Sequence, residues 1–230
     1  MKKVITTSLT LISIAFGSIA NAEQSQIDAI ENAAMTLNTT ELVALTQSAQ
    51  QYDLALAYYR LAISQNLSAD ANSAIDSLDQ GIEVLETHLE AQTEDGEAWA
   101  LLAQMYGLKV AYEPMKGAFY GPKSGSALTK AFTFAPNSPR THLVKGVSSY
   151  NTPSIFGGSK TAALKALDKS ISLFANDSSD NQWGHAEAYI WRGLTQMAQN
   201  NSEQAINDWQ QALAIAPQYG WAKMLIAQNQ

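Results

Sequence analysis

Two segments of this chain space bulky and small residues three and four apart, and that spacing constrains the fold more than any other feature. In the first, Trp99, Leu102, Ala103 and Tyr106 fall on one face of a helix. In the second, Ala205, Trp209 and Ala212 do the same, and Pro217 ends the run. The surrounding sequence is rich in Ala and Leu, which favours helix. There is no Cys, so no disulfide staples the fold, and an apolar core must hold it together.

Trp99-x2-Leu102-Ala103-x2-Tyr106 resembles the first helix of a tetratricopeptide repeat, whose pattern is W-x2-L-[GA]-x2-Y. Ala205-x3-Trp209-x2-Ala212-x4-Pro217 resembles the second helix, with Trp209 in the aromatic slot. The resemblance implies an all-α, right-handed α-solenoid of about four helix pairs, at 55–88, 96–137, 138–175 and 186–219. Helical segments at 24–37 and 40–49 cap one end, and a helix over 219–228 covers the other, because a stacked array must hide its open ends. On this register Ala62, Ala103, Gly146 and Gly193 share the slot where paired helices cross closely. Gln196, Lys145, Ser124 and Ser170 depart from the family pattern, which leaves the middle register open by a few residues. Ser138 before Pro139 reads as an N-cap. Asn200 with Glu203 reads as a capping box.

The first residues read as a leader. Lys2 and Lys3 precede an uncharged, mostly apolar stretch from Val4 to Ala20, and Ala20-Asn21-Ala22 is an A-x-A cleavage pattern. The stretch is short for a spanning helix, which needs roughly 20 apolar residues. Residues 1–22 are therefore expected to be a signal peptide cut after Ala22. That leads to a periplasmic or secreted protein with no membrane anchor after cleavage. The chain carries a formal charge of −7, and loss of Lys2 and Lys3 makes it −9. That balance argues against nucleic acid and anionic membrane surfaces as partners.

The resemblance also implies that one face of each first helix lines a concave groove. That face carries Tyr59, Ile63, Glu97 and Gln104 in the first two pairs, and Arg140 at the start of the third. In the second half it carries Leu143, Val147, Tyr150, Ile190, Leu194 and Met197, which are largely apolar and form a candidate binding face for a protein or peptide, or for a small apolar ligand. If an inserted loop or the last helix fills the groove, the same residues are core.

Two insertions relative to the family spacing, at 107–124 and 151–159, are expected as loops on one edge. Tyr120-Gly121-Pro122-Lys123-Ser124 and Phe156-Gly157-Gly158-Ser159-Lys160 repeat one theme: an aromatic, glycine, then Ser and Lys before a helix start. Such a turn can hold an anion at free helix N–H groups, with Lys123 and Lys160 beside it, or can simply cap the helix. No catalytic constellation is evident. His88, His142 and His185 lack metal-ligand spacing, and no G-x-S-x-G occurs. The Asp- and Asn-rich stretch 175–183 lacks the calcium-loop pattern and reads as a polar linker.

No cofactor or metal is expected, and an enzyme is disfavoured. The expected function is an exported interaction module that binds a protein or peptide through its concave face and edge loops. The alternative is a small-ligand carrier or transport-accessory subunit. Asn151-x-Pro153-x-x-Phe156-Gly157-Gly158 is loosely similar to periplasmic helical subunits that partner solute-binding proteins.

Overall fold

The computed structural model describes residues 15–179 and 181–229, with side chains from residue 24 onward. The described elements are helices and short 3-10 turns, with no strand among them. In chain order they are α1 (Ala15–Met35), α2 (Thr39–Ser48), α3 (Gln51–Leu67), α4 (Ala71–Ala91), α5 (Gly96–Tyr112), α6 (Gly117–Phe134), α7 (Pro139–Asn151), α8 (Lys160–Phe174), α9 (His185–Met197), α10 (Ser202–Ile215) and α11 (Gly220–Gln228). Helices α3–α4, α5–α6, α7–α8 and α9–α10 pack as antiparallel pairs, and each pair stacks on the next to form an α-solenoid. The expected leader lies largely outside the described residues. The described backbone is helical from Ala15 and runs as α1 past Ala22 to Met35.

Local chemistry explains the starts of several helices. Asp70, Asp95, Ser138 and Ser159 each accept a backbone N–H from the first turn of α4, α5, α7 and α8. Pro139 follows Ser138 at the first helical position, where its missing N–H costs nothing. The capping box expected at Asn200 is absent. Asn201 is the cap residue and makes no side-chain cap bond, and Asn200 instead takes a left-handed conformation with φ 65°.

Small residues allow the paired helices to touch. A Cβ added at Gly146 would lie 2.5 Å from Leu167 Cγ, and one at Gly193 would lie 2.4 Å from Trp209 Nε1. Ala62 and Ala103, in the same slot of the earlier pairs, are fully buried. One continuous core runs from Ile27 of α1 to Ala188 of α9. A second, around Trp209, joins α9, α10 and α11.

The first insertion is not a loop. Helix α5 continues to Tyr112, a 3-10 turn spans Pro114–Lys116, and α6 starts at Gly117 and runs through Pro122. The Gly-Pro pair that reads as a turn is carried inside a helix. Proline clashes with the Cβ of the residue before it, and Gly121 has none. The second insertion keeps its irregular backbone. A 3-10 turn spans Ser154–Phe156, and Gly157 has φ 90°. A Cβ on Gly158 would sit 1.7 Å from Thr152 O. Ser159 N–H then bonds Ser149 O at 2.9 Å and closes the turn against α7.

Candidate functional site

The concave side is filled by the chain itself. Leu143, Val147 and Ile190 are buried, and Tyr150, Leu194 and Met197 are half-buried. Leu143 lies under the 175–184 connection, where a Cβ on Gly184 would stand 2.9 Å from its Cδ2. Tyr150 meets Trp191 edge to face at 5.5 Å, and Trp191 meets Trp221 of α11 the same way. Helix α1 closes the other half. The Gln24 side chain exchanges two hydrogen bonds with the backbone of Gln182, at 3.1 and 2.9 Å.

Two buried arginines organise this closure. Arg60 of α3 donates to Glu31 of α1 through Nε at 2.6 Å and Nη2 at 3.0 Å. Its Nη1 lies 2.9 Å from Glu187 Oε2, on α9. The first and fourth pairs of the array thus meet through one guanidinium, which also lies 5.3 Å from the Trp183 ring. Burial outweighs Arg60 and pushes the Glu31 carboxyl above its usual range. Arg140 of α7 is held by Glu97 at 2.6 and 3.1 Å, by Asp177 at 2.7 Å and by Ser179 Oγ at 2.7 Å. Burial works against the Arg140 charge, but Glu97 and Asp177 overcome it and hold the guanidinium more firmly protonated than usual. Burial alone would raise Asp177, yet the bonds from Arg140 and Ser179 keep its carboxyl below its usual range. Trp183 Nε1–H donates to Tyr52 OH at 2.8 Å, and Gln104 donates to Tyr59 OH at 3.1 Å. This polar seam joins α1, α3, α5, α7, α9 and the connection before α9.

The two edge segments are placed differently from each other. Tyr120 and Lys123 lie within α6 rather than before a helix start. Lys123 Nζ reaches Glu86 at 3.1 Å and Tyr106 OH at 3.4 Å. Tyr106 OH itself bonds Glu86, and Tyr120 stacks on Tyr106 with centroids 5.8 Å apart. Lys160 does stand at the first position of α8, but its Nζ bonds Tyr150 O at 2.6 Å and lies 3.3 Å from the Tyr150 ring centroid. Both lysines therefore have internal partners, and the two segments do not form matching anion cradles. Phe156 points into solvent beside Ile155, and Gly157 and Gly158 shape the turn between them and α8.

An open cleft lies elsewhere, between α3 and α4. It encloses about 580 Å³ and is lined by Gln51, Leu54, Tyr58, Gln80, Val84 and His88, among others. These residues lie beside, not on, the expected concave positions, so the family register does not point to them. Among the described residues no group of three His, Cys, Asp or Glu side chains is arranged to hold a metal ion, and no helix is long and apolar enough to cross a membrane.

The Tetratricopeptide repeat family matches residues 186–219, which are α9, α10 and the turn before α11. A thermophilic TPR protein of Thermus thermophilus superposes with a TM-score of 0.54 at 18% identity, covering 90% of this chain and 98% of its own. Residues 186–219 thus carry a tetratricopeptide repeat, and the array as a whole has the fold of such proteins. The HusA haemophore of Porphyromonas gingivalis has the same fold, with a TM-score of 0.56, 20% identity, and coverage of 82% of this chain and 96% of HusA. At these identities the likeness is one of fold. No curated protein sequence matches this chain.

Proposed function

We propose that this protein is an exported interaction module whose protein or peptide partner docks in the α3–α4 cleft rather than on the concave face. Helix-pair arrays generally serve as binding scaffolds. The observation that carries the location is the filled concave side: Leu143, Val147 and Ile190 are core, and Arg60 ties α1 to α9 across it. The α3–α4 cleft offers what a peptide needs. Leu54, Tyr58 and Val84 supply apolar contact, and Gln51, Gln80 and Gln92 supply amides for backbone recognition. The carrier reading would need the apolar second half of the groove open, and its central residues are packed inside. Export rests on the Lys2–Ala22 leader pattern.

A photo-crosslinking residue at Tyr58, in cells that export the protein, should give a discrete protein adduct, while one at Lys223 on α11 should not. Adducts formed at Met197 instead of Tyr58 would sink the cleft reading. The N-terminal sequence of the exported form should begin at Glu23. An intact Met1 in that fraction would overturn the leader.

A further inference from the structure

From Pro114 to Leu167 the chain contains no Asp or Glu, yet it carries Lys116, Lys123, Lys130, Arg140, Lys145, Lys160 and Lys165. The net charge of −7 is therefore +7 from this block and −14 from the rest. The block is one piece of the fold: α6, α7, most of α8 and the two 3-10 turns. Helices α5 and α7 pack side by side, and each is followed by an antiparallel partner, so both turns emerge at the same end of the array. That end projects four large apolar side chains. Met115 is 98% exposed, Phe119 58%, Ile155 83% and Phe156 75%.

We propose that this end of the array docks on an anionic lipid surface. Met115, Phe119, Ile155 and Phe156 enter the interface, and Lys145 and Lys165 meet the lipid phosphates. Three observations favour a bilayer. Met115, Ile155 and Phe156 stand on the two 3-10 turns and Phe119 on the first turn of α6, and the α3–α4 cleft does not include them. A fluid interface accepts such side chains without a shaped complement, and a shaped protein partner would leave them poorly packed. Local charge also fits. Glu113 and Glu86 are already engaged by Lys109, Lys116 and Lys123, while Lys145 and Lys165 are exposed and have no carboxylate partner among the described residues. Finally, charges beyond about 8 Å are screened at physiological ionic strength, so distant acids do not cancel Lys145 and Lys165, while the nearby ones are already paired with Lys116, Lys123 and Arg140. The acidic net charge, taken alone, hides this.

The test is co-sedimentation of the full chain with vesicles of phosphatidylcholine doped with phosphatidylglycerol, against phosphatidylcholine alone. The leader is itself apolar, so wild type and variants are compared in the same leader state. The M115S/I155S/F156S variant should partition at least about tenfold more weakly. K145E/K165E should lose the preference for phosphatidylglycerol. Circular dichroism checks that both keep their helix content, which exposed turn and surface positions permit. Equal partitioning of wild type and the triple serine variant overturns the proposal. So does a wild type that ignores vesicles but sediments as a dimer that the triple variant dissolves, because the end would then join two copies of this chain.

Discussion

Arg60 and Glu31 show how much can hang on one buried group. Removing one partner of a buried ion pair typically costs about 3–5 kcal/mol, because a charge is left without its counter-ion. Arg60→Met would leave Glu31 and Glu187 facing each other inside the protein, so a loss of that size is expected in urea unfolding. A loss below about 1 kcal/mol, the range of exposed pairs, would mean the pair is solvated. Two glycines give a sharper contrast. Gly158→Ala should destabilise by about 1–3 kcal/mol, since its Cβ meets Thr152 O and must displace backbone. Gly125→Ala, inside α6 with nothing within 4 Å, should gain up to about 1 kcal/mol of helix propensity. Equal effects of the two in thermal melts would contradict the assigned backbone.

At the scale of elements, pH acts through two histidines near helix starts. Burial lowers the imidazole of His142, against the pull of its bond to Pro136 O, and lowers that of His185, which stacks on Phe174. Both protonate less readily in the fold than at the ordinary value of 6.5. Their stabilisation is therefore complete above that pH and lost as pH falls through it. Glu31 and Asp208 are raised by burial, so they work in the opposite sense. The comparison that isolates the imidazoles is wild type against H142Q/H185F. The wild type should lose more stability on acidification from about pH 7.5 to about pH 5.5. Parallel curves would mean the rings are solvated.

The element scale also shows what the residues disclose. Trp99 and Trp209, with their small neighbours, are enough to reveal stacked helix pairs, because close packing demands that alternation. The Gly107–Ser124 insertion misleads. Gly121-Pro122 carries a local turn signal, but the long α5–α6 contact favours continued helix. The Asn200 cap fails in a similar way, by one residue. The candidate groove residues are buried or half-buried, and that burial is not legible in the sequence. It depends on Glu31, Trp183 and Tyr219 arriving from distant parts of the chain, and periodicity reports only local faces. The run of 54 residues without an acid, from 114 to 167, is legible throughout, but only a windowed charge count reveals it.

For the whole molecule, the picture is a short helix-pair array shut on its concave side by α1, the 175–184 connection and α11. Its accessible features are a cleft in the acidic first half and an apolar, basic end in the middle. A closed array should behave as one cooperative unit, because the Arg60 link couples its first and fourth pairs. Closure itself can be measured. The chain has no Cys, so nitroxides on Gln24→Cys and Gln182→Cys report only on α1 and the connection it bonds. The closed array predicts strong dipolar broadening between the two labels. Two sharp, independent spectra in a folded protein would show an open concave face and contradict closure.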